Sequence, residues 1–203
     1  MTNHINLKSM LVKTIFMIGV SIFAIACSGK KSTDTEEIAK QENIASLESN
    51  ENTIVVVEND KDAMFLMEAA AMHLEEISLG KLAQQKGNSS HVKDLGKMME
   101  VDHTKTLAEL STLAKSKSIA IPTSITEDSK EVFRELNEEN GNDFGKAYSA
   151  LMVENHEDAI ELFTNTAKES EDPDISTWAT SKLPGLKTHL QHAEACKKEC
   201  NKM

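Results

Sequence analysis

Glu76, His103, His156 and His189 are the side chains of this sequence best placed to do chemistry, since each interrupts an apolar line traced at helical spacing. Three imidazoles and a carboxylate suffice to hold one divalent transition ion, with zinc, iron and manganese as the candidates. The same four groups can instead close a buried hydrogen-bonded network, Glu76 accepting from the histidines with no metal present. Asp102 precedes His103 and Asn155 precedes His156, so each can serve as a second-sphere partner. A two-metal carboxylate centre needs Glu-x-x-His on two helices and further glutamates on the others. Glu100 stands three residues before His103, but Val153 and Leu186 occupy that place before His156 and His189. The two-metal reading fails on ligand count, which lowers the case for oxygen or peroxide chemistry. The chain reads as a binding or structural protein rather than an enzyme.

His192, Cys196 and Cys200 recur every fourth residue near the end of the chain. They imply a terminal thiol pair, free or bridged, or a secondary His-Cys-Cys site for a thiophilic ion. Glu75, His73, His91 and the acidic run after Thr126 read as solvated surface.

Four segments must position the central residues. The first, from Asp62 to Gly87, has an acidic cap and a glycine stop. The second is capped near Ser89, and the third starts at Asn142 or Asp143. In the fourth, Asp172 caps Pro173, and Pro184-Gly185 is expected to kink or split the helix. The seams read Phe65, Ala69, Met72, Glu76, Gly80 and Ala83 on the first helix, and Trp178, Lys182, Leu186, His189, Ala193 and Cys196 on the fourth. From helix starts at 62, 90, 143 and 175, the four central residues lie 14, 13, 13 and 14 positions along. Midpoints of equal helices meet at one level whichever way each runs, so the four are expected to converge. No segment alternates at period two for long enough to argue a sheet.

Short turns join the first helix to the second and the third to the fourth, which predicts two antiparallel hairpins. The connection over 119–142 carries Ile121-Pro122 and a short amphipathic stretch, and it is long enough to cross the full length of a bundle. The expected fold is all-α, a ferritin-like four-helix bundle with a long crossover between helices 2 and 3. An up-down-up-down bundle with a decorated loop is the alternative.

The front of the chain carries a different message. Lys8 and Lys13 precede an apolar run from Ile15 to Ala26, 12 residues long and interrupted only by Gly19 and Ser21. A membrane-spanning helix needs about 20 residues, whereas a secretory signal has this basic head and short apolar middle. Ala24-Ile25-Ala26-Cys27 resembles a lipobox with Ala24 at the position usually held by leucine. Residues 1–26 are therefore expected to be a lipoprotein signal peptide, with Cys27 lipidated and 27–60 forming a flexible tether rich in Ser, Thr, Asn, Glu and Lys. The folded domain is expected over 61–200. Without Lys8 and Lys13 the chain holds 20 basic and 33 acidic residues, a formal charge near −13. No basic patch for nucleic acid follows from such a balance. The expected partner is a membrane, reached through the lipid on Cys27 in the cell envelope.

Residues 60–196 resemble the domain-of-unknown-function 4142 family of exported bacterial proteins. The resemblance rests on Glu76 with Leu79-Gly80-Lys81-Leu82-Ala83, Met98 through Asp102-His103, Leu113-Ala114 and Ile121-Pro122, Phe144-x-x-x-Tyr148 followed by His156, Leu183-Pro184, and His189-Leu190. It implies a ferritin-like bundle, an outer-membrane or periplasm-facing location and importance for the four central positions, but no activity. The family pattern usually has Asp-His on both central helices. Here the second is Asn155-His156, which leaves any metal site one charge poorer.

Overall fold

The computed structural model describes residues 34–48 and 61–203, and the signal segment and Cys27 lie outside them. The described residues form six helices: α1 (Thr35–Glu48), α2 (Lys61–Lys86), α3 (Ser90–Ser116), α4 (Glu127–Glu138), α5 (Gly141–Glu169) and α6 (Pro173–Cys200). The fold is all-helical, with no strand among these residues. No described helix is long and apolar enough to cross a membrane.

Local chemistry sets the helix ends. Ser89 accepts from the Val92 amide at the start of α3, and Asp172 accepts from the amides of Asp174 and Ile175 ahead of Pro173. Thr126 caps α4 by accepting from the Ser129 amide. Asp62 lies inside the first turn of α2 rather than at its cap. Gly141 opens α5 at φ 57°, a conformation costly for residues with a Cβ.

Cross-helix pairs fix the directions. Lys61 pairs with Glu169 at 3.0 Å and Phe65 stacks edge-on against Phe163, while Lys86 lies over Phe144, so α2 and α5 are antiparallel. Lys117 pairs with Asp172 at 2.6 Å, Lys182 with Glu109, and His189 with Asp102, so α3 and α6 are antiparallel too. Since α2 and α3 form a tight hairpin, α3 and α5 run in the same direction. The chain between them passes from one apolar cluster to the other. Ile119 and Ile121 pack on the cluster containing Phe65, Leu110 and Phe163, whereas Val132, Phe133 and Leu136 pack on the one containing Leu79, Met99 and Tyr148.

The α2–α3 hairpin closes unusually tightly. A Cβ at Gly80 would stand 2.6 Å from the Gly96 carbonyl oxygen, and one at Gly96 would stand 2.7 Å from the Gly80 carbonyl oxygen. Two backbones therefore touch beside the polar centre, and any side chain at either position would force them apart.

Two expectations need correction. Residues 34–48 do not belong to a loose tether: α1 docks on the bundle, with Ala39 and Asn43 buried. Asn43 accepts from the Ala120 amide at 2.6 Å and donates to the Ala120 carbonyl at 3.0 Å, satisfying backbone groups of the crossover that would otherwise lie unpaired. Nor does Pro184-Gly185 split the last helix, since α6 continues through it. Both residues are exposed. The helix is held on either side by buried Ile175, Ala179, Leu186 and His189, which offsets the lost backbone bond.

Candidate metal centre

Between the two apolar clusters lies a polar layer. His103, His156 and His189 come from α3, α5 and α6, and one ring nitrogen of each lies within 4.8 Å of the others. Their ring centroids are 5.1–5.5 Å apart, and all three residues are buried. Each helix supplies its histidine from the line that also buries its core residues, such as Met99 and Leu110 beside His103 or Met152 and Ala159 beside His156.

In each ring one nitrogen is engaged and the other is free. His156 Nδ1 donates to the Met152 carbonyl at 2.8 Å, leaving Nε2 unpartnered. His189 Nε2 donates to Asp102 Oδ2 at 3.1 Å, leaving Nδ1 unpartnered. His103 Nδ1 meets His73 Nδ1 at 2.8 Å, leaving Nε2 unpartnered. Engaging one nitrogen with a carbonyl or carboxylate fixes the tautomer and leaves a lone pair on the other, the arrangement a metal-binding imidazole requires. Burial favours the neutral form of three rings: it holds His156 at about 4, His73 at about 3 and His103 well below the ordinary imidazole range.

Glu76 lies beside the histidines rather than among the converging nitrogens. Its Oε1 is 3.7 Å from His156 Nδ1, the engaged nitrogen, and accepts from Asn155 Nδ2 at 3.3 Å. Its Oε2 is buried without a partner. Burial outweighs the Asn155 hydrogen bond and pushes the carboxyl up to about 8, so Glu76 is protonated at neutral pH. Asn155 donates to Glu75 as well, at 3.1 Å, and so joins two glutamates instead of orienting His156. Asp102 does contact a histidine, but on α6 rather than its own neighbour His103.

His73 corrects the sequence reading most. Expected as solvated surface, it is 3% exposed and meets His103 with ring centroids 5.0 Å apart and planes tilted by 42°. The signal was present, because Ala69, His73, Glu76 and Gly80 follow one another at steps of three and four. A seam drawn through Met72 runs one residue to the side. Glu75 is likewise not free surface: it is half-buried and accepts from Ser129 Oγ at 2.7 Å. Ser129, within the run expected to be solvated, is buried, as is Thr126 ahead of it. His91 is exposed.

A cleft of about 200 Å3 between α3 and α6 leads inward to His73, His103 and His189. Asp102, Glu109 and Lys182 stand along it, with Lys182 paired to Glu109 and lying 5.5 Å above the Trp178 ring. Gly185 faces open space on this side, keeping the passage clear.

The terminal thiols make a separate feature. Cys196 and Cys200 are buried with Sγ atoms 3.9 Å apart and are not bridged. Burial, reinforced by Cys200, pushes the Cys196 thiol up to about 12, so it is a poor thiolate. His192 is exposed on the same helix, while both cysteines face the core. The three residues do not present one common site.

The fold is similar to those of solved structures. The chain is similar to CopM in the Cu(I)-bound form, with 16% identity and a TM-score of 0.57 over 68% of this chain and 96% of that one. It is similar to CopM in the Cu(II)-bound form over the same shares, with 14% identity and a TM-score of 0.57. A DUF305 fragment from Deinococcus radiodurans matches with 9% identity and a TM-score of 0.60, covering 70% of this chain and 97% of the fragment. At these identities the likeness is one of fold. No curated protein sequence matches the chain. The profile of the domain of unknown function DUF4142 matches residues 47–196, and the chain belongs to that family.

Proposed function

We propose that this protein is an exported, lipid-anchored metal-binding bundle, in which His103, His156 and His189 hold one late first-row transition ion. The observation that carries the reading is the convergence of three buried nitrogens whose ring partners are engaged elsewhere. His156 has committed its N–H to the Met152 carbonyl, and His189 directs its Nε2–H at Asp102, so the other nitrogen of each faces the centre. His103 completes the set when its Nδ1 proton points at His73. With His103 in that tautomer three lone pairs converge, one more than the two hydrogens of a single water satisfy, which favours a cation between them. None of these three nitrogens is hydrogen-bonded to another of them or to Glu76, which favours a metal over a closed packing network.

The donor set narrows the ion. Imidazoles suit zinc, copper, iron and nickel, while manganese prefers carboxylate and water oxygens. Affinity along the divalent series peaks at copper, and the CopM structures of this fold carry copper. Copper is thus the first ion to test and zinc the second. The antiparallel pairs and the long crossover support a ferritin-like connection order for the four long helices. The lipobox-like Ala24-Ile25-Ala26-Cys27 supports attachment through Cys27 to the outer membrane or a periplasm-facing surface, where the protein would hold or pass on metal rather than turn over a substrate.

Chelator-treated protein titrated with Cu(II), and separately with Zn(II), should melt higher as metal is added. The expected stabilisation is about 2.7 kcal/mol at a hundredfold excess over Kd, and His156→Ala should lose most of it. Equal stabilisation of both proteins would remove His156 from the site, and none in either would remove the metal. The anchor is tested separately: Cys27→Ala should abolish acyl labelling, and an unmodified mature N-terminus in the wild type would refute it.

A further inference from the structure

We propose that metal enters and leaves the three-histidine centre through the cleft between α3 and α6, with Asp102 as the first protein group the ion meets and the His189 ring as the side chain that yields. The inference rests on the metal reading above and adds the route to it. The three converging nitrogens are themselves closed to solvent, so no ion reaches them unless one wall of the centre moves. What stands behind each ring decides which wall that is. His156 is 1% exposed and backed by the Met152 carbonyl of its own helix. His103 is backed by the buried His73 ring. His189 is backed by a side chain that reaches water: its Nε2 meets Asp102, whose side chain is 53% exposed.

The cleft ends on that ring, since Asp102, His103 and His189 line it together. His189 thus spans the step from cleft to centre, with Nε2 at Asp102 and its other nitrogen on the inner side. Displacing it breaks a hydrogen bond to a half-exposed carboxylate, which water can replace. Displacing His156 would instead move a ring enclosed in close-packed core. The wall chemistry suits a cation as well. Glu109 is already paired with Lys182, whereas among the described ion pairs Asp102 meets only His189. A carboxylate oxygen is an ordinary ligand for first-row ions and can hold one briefly at the mouth. The opposite lip is open, because a Cβ at Gly185 would meet no atom within 4 Å.

The test is kinetic. Metal-free full-length protein is mixed with Cu(II) in stopped flow, and quenching of Trp178, the only tryptophan in the chain, reports uptake. Excess chelator then reports release. The phase followed is the one absent from His156→Ala. Gly185→Leu sets a side chain at the lip of the cleft, in a helix that leucine favours over glycine, so folding is not at risk. It should slow uptake and release alike by about tenfold, a barrier about 1.4 kcal/mol higher, and leave the affinity for Cu(II) unchanged. Asp102→Asn keeps an oxygen to accept from His189 but loses the charge, and should slow uptake at low salt. Unchanged rates in Gly185→Leu, an affinity that falls while uptake stays the same, or Asp102→Asn loading as fast as wild type would overturn the inference and leave the metal site standing. Wild-type protein that takes up no copper would overturn both.

Discussion

Acidifying the metal-free protein should unfold it through its own histidines. His73 and His156 are held at about 3 and about 4 in the fold against an ordinary value of 6.5, and His103 is lowered in the same direction. A depressed imidazole contributes stability that is present above 6.5 and is lost as pH falls toward its folded value, because the unfolded chain takes up the proton first. Each such group costs about 1.4 kcal/mol per pH unit within its window, so His73 and His156 together cost about 2.7 kcal/mol per unit, and His103 adds in the same direction. Glu76 acts the other way. Raised from 4.5 to about 8, it contributes stability that is complete below 4.5 and is lost as pH rises toward 8, again at about 1.4 kcal/mol per unit. Between roughly pH 4.5 and 6.5 the net slope is therefore at least about 1.4 kcal/mol per unit, positive with pH. Above 6.5 it turns negative, with Glu76 as its source. Denaturant melts in the presence of chelator across pH 4.5–8.5 should show a maximum near pH 6.5, and Glu76→Gln should remove the alkaline decline. A flat profile through pH 5–6, or a decline on the alkaline side that survives Glu76→Gln, would refute the assignment of neutral buried imidazoles and a protonated Glu76.

Two further outcomes follow from packing. Gly96→Ala should destabilise the fold by about 1–3 kcal/mol, because its Cβ would meet both the Gly80 carbonyl and the Ala83 Cβ, and denaturant midpoints against wild type would measure it. Asn43→Ala should cost about 1–3 kcal/mol through the unpaired Ala120 amide and carbonyl and open the crossover to protease near residue 120, as limited proteolysis followed by mass spectrometry would reveal.

Much of the centre was legible because an ionisable residue in an otherwise apolar helical line is a conspicuous exception. His103, His156 and His189 stood out on that ground, and equal distances from the helix starts predicted that they meet. Glu76 stood out in the same way, yet sequence spacing gives an angular position only to within a residue and says nothing of which ring nitrogen a carboxylate faces. His73 was lost to the same coarseness. Its stripe on α2 is broad enough to bury Leu66, Ala69 and Ala70 as well as Glu76, and a single line of residues does not describe such a width. The first half of α6 shows the same slip at Lys182, with Ile175 and Ala179 in the core beside Trp178, which packs on Phe65 and Phe163. The docking of α1 left no apolar pattern to read, since a hydrogen-bonded Asn43 fixes it beside the small Ala39. Pro184 misled because the helix around it is held by tertiary packing, which a local rule does not weigh.

The central claim is that three imidazole nitrogens form the binding set. X-ray absorption on protein loaded with one equivalent of copper, and again with zinc, reads that set directly. The account predicts three imidazole nitrogens at about 2.0 Å, their outer-ring scattering reduced in His156→Ala, with no sulfur in the shell. Sulfur at about 2.3 Å would relocate the metal to Cys196 and Cys200, and a shell of oxygens alone would assign it to surface carboxylates. Either result would contradict the histidine centre.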